Sequence, residues 1–257
     1  MYRFVKRALF AAVVAGATGP AYSADIIEEP VVVPAVVGGW YMRGYIGMSN
    51  QFFDGLESEL FSVPYAHGWY DEGGFASAPI FGGGLGYKFN DYFRSDVTVE
   101  WRGKSDFNAL DWLQADELDP AITTNEYTGK KSELAFLLNG YYDFGNFYGI
   151  TPYVGAGIGA SYNTISSFRD ANIQNSGGGW AGDNSEWNLA WALHAGMGIQ
   201  ATERMTIDLG YSFTSLGDAK TGIVYNDDPA YNMDNDGIDF KSIYSHDFKL
   251  GVRYSLY

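Results

Sequence analysis

The sequence predicts an all-β protein, an eight-stranded antiparallel up-and-down transmembrane β-barrel with four long extracellular loops. Three observations predict this class. Glycine and aromatic residues are abundant, with 33 glycines and 17% aromatic residues in 257, a composition that favours strands over helices. Apolar and polar residues alternate with a period of two in eight segments of about ten residues. The connections between these segments alternate between long and short, as in a meander with one plain rim.

Three regions are expected along the chain: a signal peptide at 1–24, a periplasmic N-terminal tether at 25–39, and the barrel at 40–257. The signal is predicted because Arg3, Lys6 and Arg7 precede an apolar run that ends in small residues, the order that a signal peptidase recognises. The tether is predicted because it contains Pro30 and Pro34 and shows neither helical nor strand alternation.

Composition excludes several classes of protein. The formal net charge is −15, which disfavours a nucleic-acid partner because phosphate binding requires a basic surface. The chain has no cysteine, which argues against a small disulfide scaffold. After the signal, no apolar run approaches the roughly 18 residues that a membrane helix needs. Export without these features leaves a β-protein.

The eight predicted strands are 40–49, 79–89, 93–102, 133–144, 152–162, 187–200, 206–214 and 247–256. The third is the clearest, because Val97, Val99 and Trp101 alternate with Asp96 and Glu100. Long connections are expected at 50–78, 103–132, 163–186 and 215–246. Outer-membrane barrels have this pattern, with short turns on the periplasmic side and long loops outside.

The alternation leaves two orientations to weigh. A soluble barrel of the lipocalin kind points its apolar residues inward, whereas a membrane barrel points them outward into lipid. The alternate positions that carry the polar residues (the polar parity) are rich in glycine and contain charges of both signs. This composition favours the membrane orientation. The predicted network of charges in the lumen comprises Arg43, Lys88, Arg94, Asp96, Glu100, Arg102, Glu133, Asp143, Asp208, Asp247, Lys249 and Arg253.

The aromatic residues of the apolar parity gather at the strand ends. Two girdles are therefore predicted, at the two lipid interfaces. Their members are Trp40, Tyr87, Phe89, Phe93, Tyr142, Phe144 and Tyr254 at the lower rim, and Trp101, Tyr162, Trp187, Phe213 and Phe248 at the upper rim. Core packing in a soluble sandwich would not place them at the strand ends.

The sequence resembles the small outer-membrane β-barrel family of Gram-negative bacteria, which includes opacity-type surface antigens and the porin-like proteins of rhizobia. The resemblance is carried by Ala24-Asp25 after the signal, Gly-Gly-Gly-Leu-Gly-Tyr-Lys-Phe at 82–89, Asn-Gly-Tyr-Tyr-Asp-Phe at 139–144, Pro-Tyr-Val-Gly-Ala-Gly-Ile-Gly at 152–159, and the strand at 248–254. It implies location in the outer membrane and contact with membrane lipid and lipopolysaccharide. It also implies handling by periplasmic chaperones and the barrel-assembly machinery.

One feature departs from the family. The closing strand usually ends in a lipid-facing aromatic residue, but parity places Leu256 in that position and Tyr257 follows it. Either a bulge shifts Tyr257 into register or the assembly signal is a variant.

The predicted role is non-enzymatic: support of the envelope and presentation of surface loops to lipopolysaccharide, host surfaces or other cells. Aromatic residues are frequent in the loops and serve either as binding anchors or to pack the loops together; they are Phe52, Phe53, Phe61, Tyr65, Trp69, Tyr70, Trp112, Trp180, Tyr225 and Tyr231. A plugged lumen is favoured because an eight-stranded barrel is just wide enough for side chains to fill. The alternatives are a small diffusion pore and a lipid A-modifying enzyme.

Neither a catalytic site nor a cofactor or metal site is expected. His67 and His246 lie in or beside long connections, and His194 faces inward, where a lone histidine acts more often as a hydrogen-bonded filler. The segment 232–237 imitates the start of a calcium loop, but Ile243 occupies the position of the closing acidic ligand. A solvated acidic turn is the preferred interpretation.

Overall fold

The computed structural model describes residues 38–62, 64–118, 121–174 and 177–256. The strands in these ranges are β1 (Gly39–Phe52), β2 (Gly55–Glu57), β3 (Ala66–Phe75), β4 (Ala78–Lys88), β5 (Phe93–Gln114), β6 (Asn125–Asp143), β7 (Ile150–Asn172), β8 (Gly178–Ala181), β9 (Asn184–Gln200), β10 (Met205–Lys220), β11 (Val224–Asn226) and β12 (Asp239–Ser255). Two short 3-10 helices span Glu59–Ser62 and Pro229–Tyr231. Within the described ranges, no helix is long and apolar enough to cross a membrane. The predicted signal peptide and nearly all of the predicted tether lie outside the described residues.

Eight of the strands close into a ring in the order β1, β4, β5, β6, β7, β9, β10 and β12, and β12 pairs back onto β1. Every neighbouring pair is antiparallel. Closure leaves these strands without an open edge. The ring confirms the predicted eight-stranded barrel, and each predicted segment overlaps one of its strands.

The prediction ended the strands too early at the rim opposite the chain ends. β5 continues to Gln114 instead of stopping at 102, and β6 begins at Asn125 instead of 133. The short strands β2, β3, β8 and β11 also lie in segments predicted to be loops. We call these four segments (50–78, 103–132, 163–186 and 215–246) the distal part. The prediction of four long loops is not confirmed, because much of the distal part is β-structure.

The outer surface of the ring carries an apolar band. On β5, Val97 and Val99 are 56% and 41% exposed, while the intervening Thr98 is 2% exposed. The outward face from 93 to 101 covers about 26 Å of strand, or about 20 Å along the barrel axis at a tilt near 40°. A band of this height covers most of the roughly 25 Å apolar belt that an outer-membrane barrel presents to lipid.

The outward polarity reverses abruptly in the distal part. On β6 the outward residues are Leu134, Phe136 and Leu138 within the band, but Glu126, Thr128, Lys130 and Ser132 beyond it. The inward residues also change, from Glu133 and Asn139 in the band to Tyr127 beyond it. This strand thus crosses from a lipid-facing environment to an aqueous one near residue 133.

The interior of the distal part is an apolar core. Its buried members include Phe107, Phe168, Leu216, Phe240 and Ile243, each 2% exposed or less. The rings of Phe107 and Phe240 meet edge to face with centroids 4.9 Å apart. Burial of several aromatic side chains stabilises this part of the fold independently of lipid.

Candidate functional site

The interior at the level of the apolar band, and just beyond it at Lys131, is filled by charged side chains of both signs. Six cations, Arg43, Arg94, Arg102, Lys131, Lys249 and Arg253, pair with six carboxylates, Asp96, Glu100, Glu133, Asp143, Asp208 and Asp247. Because the two sets are equal in number, the charges of this buried network balance. A balanced set can be buried at lower cost than an unpaired charge.

Arg102 lies at the centre of the upper half of this network and is fully buried. Its two terminal nitrogens donate to the two carboxylate oxygens of Asp247 at 2.9 and 2.8 Å, and one of them also donates to Glu100 at 2.7 Å. Glu100 accepts further bonds from Lys249 and from the Tyr45 hydroxyl. The bidentate geometry is the strongest form of arginine–carboxylate pairing.

The lower half is organised around Asp96 and Asp143. Asp96 accepts from Arg43 at 3.0 Å, from Tyr41 at 2.9 Å and from Asn139 at 2.8 Å. Arg94 donates to Asp143 at 3.1 Å and stacks over the ring of Tyr141 at 3.9 Å. The Asp96 carboxylate therefore has a full set of donors without solvent.

Lumen glycines make room for tyrosine rings on neighbouring strands. Tyr45 lies opposite Gly82 in the register, and a Cβ at Gly82 would overlap its ring. Tyr41–Gly86, Tyr141–Gly155 and Tyr153–Gly196 repeat the arrangement. The glycines of the polar parity thus leave space for the aromatic rings. These rings contact the buried charges through hydrogen bonds and cation–π interactions.

Two charged residues differ from the predicted network. Lys88 pairs with Asp91 at 3.1 Å in the turn after β4, and its side chain is 30% exposed, so it belongs to the rim and not to the lumen. Lys131 is fully buried and donates to Glu133 at 2.6 Å, although the prediction omitted it. Extending the parity of Glu133 back by two residues along β6 would have identified Lys131.

Space within the network is small. His194 lies between Ser212, 2.8 Å from Nδ1, and Asn139, 3.0 Å from Nε2. The cavity beside it, lined by Tyr45 and Lys249 among others, has a volume of about 20 Å³, roughly room for one water molecule. These contacts describe a filled interior.

All of the predicted girdle residues lie on the outward face. Trp40, Phe93 and Trp187 are 55%, 53% and 61% exposed, and none of the twelve is buried. Neighbouring members are in contact, as the rings of Tyr162 and Trp187 are, with centroids 4.9 Å apart. The side chain of His246 also faces outward, within an aromatic patch. Its ring stacks on that of Phe52 with centroids 5.5 Å apart.

The register at the closing strand bears on the assembly signal. β1 and β12 pair without a bulge from Phe52 and Tyr244 down to Tyr41 and Ser255. Leu256 donates its N–H to the Trp40 carbonyl and is 47% exposed. The lipid-facing position is therefore occupied by Leu256, and Tyr257 lies outside the described residues.

A larger cavity opens within the distal part. It has a volume of about 400 Å³ and is lined by Leu60, Phe61, Pro64, His67, Asp111, Leu113, Ala115, Asn125, Tyr127, Asp170, Asn172, Gly178, Gly179, Val224, Tyr225, Asn226, Tyr231, Met233 and Ile238. The lining comes from both 3-10 helices and from β3, β5, β6, β7, β8 and β11 together with the segments beside them. We call it the distal cavity. Most of its wall is apolar or aromatic, as in sites that bind small molecules.

His67, Asp111 and Tyr127 form one hydrogen-bonded group in the wall of this cavity. Asp111 accepts from the Tyr127 hydroxyl at 2.8 Å and from the Asn125 backbone at 2.9 Å, and lies 3.0 Å from the His67 ring. Phe61 stacks on His67 with parallel rings 4.8 Å apart. Burial raises the pKa of Tyr127, so its hydroxyl remains a donor. Sequence spacing alone could not bring these residues together, since His67 and Asp111 are on different strands.

Asp170 is the second carboxylate of the cavity, on the part of β7 beyond the apolar band. Its Oδ1 is buried and has no hydrogen-bond partner. Burial, followed by the charges of Asp111 and Asp227, raises its pKa from 3.8 to about 7. The prediction missed this residue because nothing in the local sequence marks it.

The segment that imitates a calcium loop is held by hydrogen bonds of its own. Asn235 accepts from the Val224 N–H at 2.9 Å and donates back to the Val224 carbonyl at 2.9 Å. Asn232 accepts from the Asn226 N–H at 2.7 Å, and Asp236 pairs with Lys220. In the described ranges, no group of three or more His, Cys, Asp or Glu side chains could hold a metal ion. The oxygens of this segment therefore shape a loop.

Comparison with known proteins identifies the family. The model of the outer membrane protein beta-barrel domain matches residues 9–255. The chain belongs to the outer-membrane β-barrel family. An uncharacterized protein of Brucella abortus is 30% identical over 212 residues, covering 73% of this chain and 72% of the relative. Outer membrane protein PagN of Salmonella typhimurium is 29% identical over 190 residues, covering 68% and 73%.

A protein of Rickettsia massiliae named "Putative adhesin" is 25% identical to this outer-membrane barrel over 182 residues, covering 67% of this chain and 72% of that one. Among solved structures, OprG of Pseudomonas aeruginosa matches with a TM-score of 0.46 and 16% identity, over 85% of this chain and 96% of that chain. Neisserial surface protein A matches with a TM-score of 0.44 and 16% identity, over 85% and 97%. The family places the barrel in the bacterial outer membrane, with its apolar band in lipid.

Proposed function

We propose that this barrel is a closed, non-enzymatic anchor that carries a rigid binding unit on the bacterial surface and attaches the cell to other surfaces. The distal part is that unit. Outer-membrane barrels keep their short turns in the periplasm and their long segments outside. Here the short turns lie at the same rim as the start of β1 and the end of β12. The distal part accordingly faces the exterior.

The observation that carries the proposal is the apolar core of the distal part. Strands that continue past the lipid and bury Phe107, Phe168 and Phe240 form a scaffold that a simple membrane plug does not need. Exposed aromatic side chains stand on this scaffold, with Tyr65, Tyr70 and Tyr231 at 58%, 61% and 69%. Rigid exposed aromatics are favoured as binding anchors. The name of the Rickettsia relative supports the same role.

A cell-binding assay tests the proposal. Bacteria that display the wild-type barrel are compared with bacteria that display Tyr65→Ser, Tyr70→Ser and Tyr231→Ser together, at matched surface amounts. We expect the triple variant to lose most of its attachment to epithelial cells. The matched control is Tyr148→Ser, because Tyr148 is fully exposed but lies in the turn at the opposite rim. Equal attachment by the triple variant would contradict the proposal.

The pore is the second function to consider, and the filled lumen disfavours it. Arg102, Glu100 and Asp247 are each buried, and Arg102 donates hydrogen bonds to both carboxylates in the interior. We expect purified protein in planar bilayers to show no steady channel. Reproducible open channels would instead support the diffusion pore. Support of the envelope follows from a closed barrel that contacts lipid and lipopolysaccharide.

The proposal extends to biogenesis. A cleaved signal at 1–24 would direct the chain into the periplasm, and the segment 25–39 would remain there as a tether. The outward apolar residues, such as Val97 and Leu138, would be exposed to water before insertion, so periplasmic chaperones must shield them. The barrel-assembly machinery would then recognise the closing strand β12 and Leu256, which follows it, during insertion.

A further inference from the structure

The distal cavity has a one-sided electrostatic character. Its ionisable lining side chains are His67, Asp111, Asp170 and tyrosines, and neither Lys nor Arg is among the lining residues described. Arg169, next to Asp170 in sequence, is exposed and pairs with Asp227 outside the lining. A ligand in this cavity therefore meets carboxylates without a competing protein cation.

The two carboxylates differ in what they have left to offer. Asp111 is already satisfied by Tyr127, Asn125 and His67. Asp170 has a buried oxygen without any donor, and an unsatisfied buried acceptor costs free energy that a ligand can recover by donating to it. Burial and the neighbouring charges of Asp111 and Asp227 also raise its pKa. The cavity thus presents one acceptor for one donor.

The rest of the wall favours an apolar body. Phe61, Tyr127, Tyr225 and Tyr231 supply aromatic rings, and Met233 a flexible apolar side chain. Ring faces attract cations as well as apolar groups. A bare divalent metal ion fits poorly, because it requires several oxygen ligands and only Asp170 has an unused carboxylate oxygen in the wall described.

We propose that the distal cavity binds a small organic cation, an ammonium group on an apolar or aromatic body. The ammonium donates to Asp170 Oδ1, and the body packs against Tyr225, Tyr231 and Met233. A volume of about 400 Å³ accommodates a ligand of this size. The site goes beyond attachment to surfaces, since it requires only the folded distal part and its occupancy is measured without cells.

The test uses the full-length mature barrel in detergent micelles, titrated by calorimetry with phenethylammonium, with its uncharged analogue phenethyl alcohol, and with calcium ions. We expect phenethylammonium to bind and the other two to bind at least about tenfold more weakly, since a charge-assisted hydrogen bond is lost. Asp170→Asn should weaken phenethylammonium by about tenfold or more. Asp234→Asn, the same charge change at an exposed position that is not among the lining residues, should leave binding unchanged.

A second variant keeps the test informative if Asp170→Asn fails to fold. Tyr231 lines the cavity yet is 69% exposed, so Tyr231→Ala should fold and weaken binding by about three- to tenfold. Equal affinity for the amine and the alcohol, or unchanged affinity in both variants, would overturn the proposed site. Absence of wild-type binding at millimolar amine would overturn it as well, without bearing on the cell-attachment assay.

Discussion

Replacement of Arg102 by methionine tests whether the charge network, and not only the lipid, stabilises the barrel. Methionine keeps an unbranched apolar stem and removes the guanidinium. Three hydrogen bonds of 2.7 to 2.9 Å to Asp247 and Glu100 are lost. Asp247 keeps a bond from Thr214 at 3.0 Å, and Glu100 keeps Tyr45 and Lys249. The change leaves one net negative charge buried in the lumen.

Breaking a buried ion pair by removing one partner costs about 3–5 kcal/mol, and we expect Arg102→Met to lower the free energy of unfolding by this amount. Urea unfolding in lipid vesicles, followed by tryptophan fluorescence, measures it. The control is Arg169→Met in the distal part, whose partner Asp227 is 3.4 Å away and whose side chain is 55% exposed. An exposed pair contributes at most about 1 kcal/mol.

A double variant separates charge from packing. Adding Asp247→Asn to Arg102→Met removes the carboxylate that lost its partner, so the pair of changes should cost less than the sum of the single changes. If Arg102→Met costs no more than Arg169→Met, or if the two lumen changes simply add, the lumen ion pairs do not stabilise the barrel in the way described.

Three further predictions concern the lumen glycines, the lipid boundary and Asp170. Gly82→Ala should lower the free energy of unfolding by about 1–3 kcal/mol in the same urea assay, because the new methyl group meets the Tyr45 ring. Gly44→Ala, with open space around its Cβ, should be neutral, and equal effects of the two changes would contradict the described packing. Val97→Arg should cost about 2–4 kcal/mol at the middle of the band, whereas Asn108→Arg, outward on the same strand but in the distal part, should cost almost nothing; a comparable penalty would displace the proposed boundary. The pKa of Asp170 is raised to about 7, so the folded state holds this proton more tightly than the unfolded state, and its contribution to stability is complete below pH 4 and is lost as pH rises to 7. Hydrogen exchange of the distal strands, corrected for its intrinsic pH dependence, should therefore become faster over that interval, as the opening free energy falls by up to about 4 kcal/mol. Asp170→Asn should abolish this pH dependence, and an opening free energy that does not change with pH in the wild type would refute the pKa shift.

Local sequence determined the strands within the lipid band and the direction of their side chains. A strand alternates its side chains between two faces, and the face toward lipid accepts only apolar groups. The apolar residues of each segment therefore identify which of its faces points toward lipid. Val97 and Asp96 could be assigned to opposite faces from the segment 93–102 alone. Beyond the band, water replaces lipid, and the residues on both faces of a strand change polarity. In β6, residues 125–132 therefore lack the outward-apolar, inward-polar alternation that marks the strand from residue 133 onward. The sequence therefore predicts loops where the distal part forms strands.

Which groups meet depends on how the strands are arranged in the closed ring. Arg102 and Asp247 are 145 residues apart, and closure of the ring, not any local pattern, brings them together. Lys88 and Glu100 share a parity, yet their different heights along the barrel put one at the solvated rim and the other in the lumen. The distal cavity is assembled from strands and loops distant in sequence, so the unpartnered oxygen of Asp170 has no local signature. Periodicity in a sequence records the solvent on each face of a strand, whereas contacts across a barrel depend on strand order, register and height, which the closed ring alone fixes.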